Sequence, residues 1–431
     1  MTLCKQETYD ETLDYHRRAL KMQEKYCSSC QRDIANTLNY IGNILIRQKK
    51  YDENINFYER ALNVQEKYYP TGHVDIATTL INIGTTFCQQ EKFDKAIEYH
   101  QKALEIQEKY YPPGSIIIAN TINSIGHILY DERKYDAVVD YYRRGLSIQE
   151  NFYPNGHIDI SHTFSFIGDI LYKQKKYEES FQLYHRALTI QEKYYEFDHI
   201  DIAKSLNSIG KVLYSRGKYN EAIDFYQRSL TIREKYHPFR YAGIATVLSN
   251  IGKALHWQRK YDEALDFNQR ALTAREKFDA TNHIGIADSL IDIANVLRDQ
   301  QNYNEAIEYQ QRALMIREHH YPSGHVNIAY CLSNIANLRK RSGEYELSLI
   351  YQQNCFLIRI KILPPDHEDI GHSLSSKGEI YEKLHKFTLA LHYYQQALAI
   401  YRKCLPSCPI NIWIMKSNIQ RLSKKLGIEL N

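Results

Sequence analysis

An aromatic residue returns every 42 positions along this 431-residue chain: Tyr9, Tyr51, Phe93, Tyr135, Tyr177, Tyr219, Tyr261, Tyr303, Tyr345 and Phe387. A period that never slips restricts the fold to one structural unit repeated in series. Such a chain carries its function on its surface.

Each copy holds two helical patterns. In the first, residues 52–68 of the copy that starts at Tyr51, the apolar stripe is wide and predicts a helix sandwiched between two neighbours. In the second, residues 75–90, Asp75 is read as the N-cap and Ile76, Ala77, Leu80, Ile83, Gly84 and Phe87 form a narrower face, which predicts one free side. Tyr69-Pro70-Thr71-Gly72 and its copies at 111–114, 153–156 and 321–324 stop the first helix before the second begins. The opposite connection, Gln48-Lys49-Lys50-Tyr51, is short and closes an antiparallel helical hairpin.

Glycine stands inside the second helix at 42, 84, 126, 168, 210 and 252, where each costs about 1 kcal/mol against Ala. The first helix carries its own small residue (Ala19, Ala61, Ala103, Gly145, Ala187, Ser229, Ala271, Ala313). We expect the two small positions to face each other and let the backbones approach. Each copy also buries large apolar groups worth about 1.5–3 kcal/mol apiece, mostly against its neighbours, so no copy is stable alone.

Leu38-Asn39-Tyr40-Ile41-Gly42 with its variants at 206–210, 248–252 and 332–336, and Lys-Tyr-Asp-Glu-Ala at 260–264, resemble tetratricopeptide repeats, whose ordinary length is about 34 residues. With Gly-His-x-Asp-Ile-Ala at 72–77 and Ile-Arg-Glu-Lys at 232–235, the chain is similar to the long repeats of the kinesin light chain and nephrocystin-3 group. The resemblance implies an all-α fold, a right-handed superhelical solenoid of antiparallel helix pairs. The second helix of each copy would line a concave groove that binds peptides or partner proteins. No heptad-repeat segment of the kind that joins a light chain to its motor is found in the sequence, so attachment to a motor is not expected.

No linker interrupts the period, and one elongated array is expected: an orphan first-type helix and turn at 1–32, nine helix-pair repeats at 33–404, and a capping helix at 405–431. The unpaired first helix, with Leu13, Tyr15 and Met22 uncovered, suggests either a stacking edge or a chain cut from a larger, conceivably enzymatic, protein. Net charge is +4, from 55 basic and 51 acidic residues, so no global field calls for nucleic acid. No apolar run reaches membrane-spanning length and the first ten residues lack a signal core, from which a cytoplasmic protein is expected.

Chemistry finds little support. Cys27-Ser28-Ser29-Cys30 occupies an interhelix turn with no second ligand pair, and all eight cysteines, including the turn-flanking Cys404 and Cys408, read as free thiols. His73, His157, His199, His283, His325 and His367 recur at one place, too far apart from copy to copy to share a metal, and are expected to hydrogen-bond the helix start. No phosphate loop, nucleophile triad or acidic pair occurs, so no catalytic site, cofactor or metal is expected.

The free face of the second helices remains. Its offsets give Lys204, Asn207, Lys211, Tyr214 and Ser215 in one copy and Thr246, Ser249, Asn250, Lys253, His256 and Trp257 in the next, with no carboxylate among them. The following copy presents Asp288, Asp292 and Asp299. Lys supplies charge, Trp and Tyr supply amphipathic anchors, and Asn can bond a peptide backbone. The resemblance implies the same clamping use for the motif asparagines Asn39, Asn82, Asn123, Asn207, Asn250 and Asn334. An extended acidic peptide with an aromatic residue, lying across 201–260, is the expected ligand. The rival, single-stranded RNA stacked on the tyrosines, is opposed by their placement at core positions of the repeat.

Overall fold

The structure, a computed structural model, describes residues 2–27, 29–132, 134–154, 156–195, 199–236, 241–278, 281–321, 324–404 and 409–428, with side chains from Tyr9 onward. Asn155 and Pro322-Ser323 of the predicted turns, Ser28 of the CxxC and Cys408 lie outside the described residues.

All described regular structure is helical. The helices are α1 (Thr2–Tyr26), α2 (Gln31–Arg47), α3 (Tyr51–Tyr68), α4 (Val74–Gln89), α5 (Phe93–Tyr110), α6 (Ile116–Asp131), α7 (Tyr135–Phe152), α8 (Ile158–Lys173) and α9 (Tyr177–Tyr194). They continue as α10 (Ile200–Ser215), α11 (Tyr219–Tyr236), α12 (Tyr241–Trp257), α13 (Tyr261–Phe278), α14 (His283–Asp299), α15 (Tyr303–His320), α16 (Val326–Arg341), α17 (Tyr345–Ile362), α18 (Glu368–Lys383), α19 (Phe387–Lys403) and α20 (Pro409–Leu426). From Tyr51 onward, the aromatic of the 42-residue period is the first residue of every odd-numbered helix.

The chain divides into two compact units, Met1–Glu196 and Phe197–Asn431, a division that the unbroken period does not announce. Each is a helical solenoid of consecutive antiparallel helices. Each even-numbered helix from α2 to α18 packs most extensively on the odd-numbered helix that follows it. Among the described residues, in eight of the nine pairs, all but α6/α7, the tight turn holds one residue at positive φ: Lys49, Glu91, Lys175, Gly217, Arg259, Gln301, Gly343 or His385. That left-handed residue reverses the chain in the fewest positions.

The burial pattern corrects the expectation for the two helix types. The even helices are the deeper ones: α4 buries Ile76, Ala77, Thr79, Leu80, Ile83, Gly84, Thr86 and Phe87, whereas α3 buries only Asn54, Tyr58, Ala61 and Gln65. Phe57 and Val64, apolar residues of the same helix, are only partly buried. The outer faces of the odd helices carry ion pairs that step from one copy to the next, such as Arg60–Glu24 at 2.9 Å, Arg186–Glu150 at 2.8 Å and Arg312–Glu276 at 3.1 Å.

The glycines are needed, but for a different neighbour than expected. A Cβ on Gly42, Gly126, Gly168, Gly210 or Gly378 would run into the ring of Tyr58, Tyr142, Tyr184, Tyr226 or Tyr394, and one on Gly84 into His100. The small residue of the odd helix instead meets an earlier turn of the even helix: Ser229 Oγ donates to the Ala203 carbonyl at 2.6 Å, and Gly145 lies against Asn123 and the Ala119 carbonyl. Where Ala294 and Ala336 replace the glycine, the ring is replaced by Gln310 and Gln352, both fully buried.

The predicted histidine role holds at five places. The Nδ1 atoms of His73, His157, His199, His325 and His367 accept from the backbone N–H two residues on, at 3.1–3.3 Å. The N-cap is therefore His73 and not Asp75, which lies in the first turn. His283 departs from the pattern: it begins α14, whose cap is Asn282, and stacks on His320 at 3.6 Å.

At the ends, Leu13 is buried against α2, whereas Tyr15, Met22 and Tyr26 are exposed. Helix α20 buries Met415, Ile419 and Leu422 with side chains of α18 and α19. Cys27 and Cys30 are joined as a disulfide, so the expectation of eight free thiols fails at this pair; the turn holds their Cα atoms 5.4 Å apart, within bonding range. Cys88, Cys331 and Cys355 are free thiols.

Candidate functional site: the inner groove of helices α12, α14 and α16

The even helices of the second unit bring the expected residues to one side, and the structure sorts them into open and closed positions. Trp257 is 63% exposed at the end of α12 and stacks on Tyr219, centroids 6.1 Å apart and planes 8° from parallel. Tyr214 meets Tyr219 edge-on at 5.5 Å. Lys211 is half-buried, with no ion pair or hydrogen bond among the described residues. Lys204 is exposed, and its ammonium reaches Asp201 in its own helix at 2.9 Å.

Asn207 and Ser249 are corrections to the expected groove surface, because both are buried and already bonded. Asn207 Oδ1 accepts from Asn250 Nδ2 at 3.0 Å, and Ser249 Oγ accepts from Arg275 Nη1 at 2.9 Å. The asparagines of neighbouring even helices thus bond each other, leaving Asn250 half-buried as the accessible member. In the first unit, Asn39 likewise donates to Thr79 on the next even helix at 2.9 Å, and the Asn123 carboxamide packs over Gly145. Asn82 and Asn334 are half-buried.

The expected run of cations without carboxylates is also corrected. The named positions of α10 and α12 hold no carboxylate, but Asp201 lies within α10 beside Lys204, and α14 supplies further acids from across the interhelix gap. Lys253 Nζ lies 3.1 Å from Asp292 Oδ2, and His256 Nε2 lies 2.8 Å from Asp299 Oδ2. Burial pushes the Asp292 carboxyl above the usual carboxylate range, and the Lys253 ammonium only partly offsets it. Burial acts the same way on Asp299, but hydrogen bonds from Arg298 and His256 outweigh it and hold that carboxyl low. Arg298 grips Asp299 with two nitrogens, at 2.8 and 3.1 Å.

These side chains line a half-open cavity of about 970 Å³ running from Tyr214 to Arg341. Of the expected residues, Tyr214, Lys253, His256 and Trp257 line it; Lys204, Asn207, Lys211, Ser249 and Asn250 do not. Its other walls include Asn295 and Arg298 of α14, Tyr330 and Arg341 of α16, and Tyr261, Asn268 and Tyr303 of α13 and α15, so the cavity is displaced by about one repeat from the expected 201–260. Four Lys/Arg side chains (Lys253, Arg259, Arg298, Arg341) face two carboxylates (Asp292, Asp299), an excess of two positive charges.

A second feature of the groove is written in the sequence period itself. The buried position held by Gln65, Gln107, Gln149 and Gln191 in the first unit becomes Arg233, Arg275, Arg317 and Arg359 in the second. Arg317 pairs with Asp288 at 2.8 Å, leaving that acid spoken for, and lies over the Tyr330 ring at 5.8 Å. Charge therefore lies beneath the groove as well as around it. Among the described residues, no group of His, Cys, Asp and Glu side chains could hold a metal ion.

No curated protein matches the chain in sequence. Among solved structures, it is similar to RapI in its apo form, with 16% identity, 86% of this chain and 98% of that chain covered, and a TM-score of 0.60. It is also similar to a signal transduction ATPase with numerous domains and a tetratricopeptide repeat sensor from Pyrococcus horikoshii, at 14% identity, 82% of this chain, 50% of that chain and a TM-score of 0.58. Kinesin light chain repeats from Podosopora anserina match at 16% identity over 49% of this chain and 100% of theirs, with a TM-score of 0.43. At these identities the likeness is one of fold. The tetratricopeptide repeat family model, by contrast, matches the sequence itself at residues 1–67, 33–109, 75–151, 159–235, 243–319 and 327–403, and the chain belongs to the tetratricopeptide repeat family.

Proposed function

We propose that this chain is a non-catalytic scaffold of nine helix-pair repeats, 33–404, between an unpaired first helix and a closing one, and that it holds an extended segment of a partner protein against the even helices of its second unit. The segment is acidic and carries an aromatic side chain. One observation carries this reading: the α12–α16 cavity joins the exposed Trp257–Tyr219 stack to an excess of two positive charges. An aromatic of the ligand extends the stack, and its carboxylates meet Arg259 and Arg341 at the rim, where charge steers encounter and suppresses wrong partners. The largest fully buried side chains include Tyr58, Tyr142, Tyr226 and Tyr394, which removes these rings from any base-stacking platform and disfavours RNA. No described helix is long and apolar enough to cross a membrane. A cytoplasmic setting and kinship to the nephrocystin-3 type belong to the same proposal.

The test is selection of extended peptides from a random displayed library, followed by titration against the wild type and Trp257→Ala/Arg341→Glu. Both side chains are exposed, so the fold should survive, which circular dichroism checks. Selected peptides should be acidic and aromatic and should bind the variant at least about tenfold more weakly. Equal affinity for both proteins would discard the site.

A further inference from the structure

The outer face of α17 departs from those of the two odd helices before it, α13 and α15. Ile360 stands where the two preceding copies have Glu276 and Glu318, and Leu347 where they have Glu263 and Glu305. Ile350 replaces Asp266 and Glu308 in the same way. With Leu357 these side chains are 43–56% exposed, and they fall on one side of the helix over about 20 Å. The ion pairs that step along the outer surface lapse here, since Asn354 occupies the place of Arg312. Isolated exposed apolar residues are ordinary, but four on one helix face, three of them at sites that are acidic in the two preceding copies, form a patch that water solvates poorly.

The pattern is symmetric about the midpoint between Gln353 and Asn354. Equidistant from that point lie Ile350 and Leu357, then Leu347 and Ile360, then Glu346 and Lys361. Glu346 and Lys361 are both exposed, and neither has an ion pair among the described residues. Two α17 helices packed antiparallel would set each apolar residue against its counterpart and each Glu346 against a Lys361. That is the self-complementarity a two-fold interface requires. Asn354 falls at the centre, where a polar residue fixes register.

We propose that the outer face of α17 is a homodimerisation surface, and that its partner is α17 of a second copy of this chain, antiparallel across a two-fold axis. This surface lies on the odd helices and is independent of the groove on the even ones.

Sedimentation velocity of the full chain across the micromolar range tests it. The wild type should show a concentration-dependent dimer, and Ile350→Glu should raise the dissociation constant at least about tenfold with an unchanged thermal melt. Glu346→Lys and Lys361→Glu should each weaken self-association, and an equimolar mixture of the two should recover it, because every like-charge contact then becomes an opposite one. A wild type that stays monomeric, a dimer indifferent to these exposed substitutions, or a mixture no tighter than its components overturns the proposal.

Discussion

Gly210 shows how one missing methyl group organises a helix pair. The Tyr226 ring comes within 2.5 Å of where a Cβ would stand, so Gly210→Ala must displace a ring that has nowhere to go. Overpacking costs about 1–3 kcal/mol, and the better helix propensity of Ala returns about 1 kcal/mol. The net is destabilisation, read as a lower denaturation midpoint. In a Tyr226→Gln background the same substitution should become stabilising, because Ala294–Gln310 and Ala336–Gln352 already use that combination; a double-mutant cycle measures the change of sign. His100 occupies the ring position opposite Gly84, and burial depresses its pKa below the ordinary 6.5, despite a backbone hydrogen bond that raises it. Its folded form resists a proton that the unfolded chain accepts, so its contribution is complete above pH 6.5 and is lost as pH falls through the lower folded value. His100→Tyr, the residue found opposite Gly42 and Gly126, should flatten that acid-side loss in urea denaturation at stepped pH.

At the scale of the element, helix existence, order and pairing were legible because aromatic, glycine and turn chemistry repeat in phase. Which helix lies deeper was not. Tyr58 and Phe57 are adjacent aromatics in α3, yet one is fully buried and the other half-exposed, and a count of apolar letters cannot separate them. The glycine's partner was not evident for a related reason: the small-to-small match was plausible from residue size, whereas the observed partner lies 16 positions along the chain, a ring for most of the glycines, Asn268 for Gly252, and Gln for Ala294 and Ala336. The tight turns predict their own mutational response. Lys175 sits at φ 61°, a conformation that costs a side-chain-bearing residue about 1–2 kcal/mol, while Gly gives back about 0.5–1 kcal/mol in chain entropy. Lys175→Gly should therefore raise stability by up to about 1 kcal/mol in denaturant melts, whereas Gly217→Lys at the equivalent turn should lower it.

At the scale of the molecule, the sequence yields a uniform array and the structure yields two units, Met1–Glu196 and Phe197–Asn431. The switch from buried Gln191 to buried Arg233 falls at this division, so the units differ in the charge beneath their surfaces although their period is the same. The candidate site was legible in part. Trp257, His256 and Lys253 line the cavity, but helix-wheel offsets could not show that Asp292 and Asp299 reach across to Lys253 and His256, because those pairs link helices about 40 residues apart. The central claim is that helix pairs stacked in register leave the even-helix face of the second unit to grip an extended chain. A photo-crosslinking residue placed at Trp257, compared with one at the exposed Thr273 on α13, tests it directly with a library-selected acidic aromatic peptide. The account predicts covalent adducts from position 257 and none from 273. Adducts from position 273, or none from 257 at saturating peptide, would contradict it.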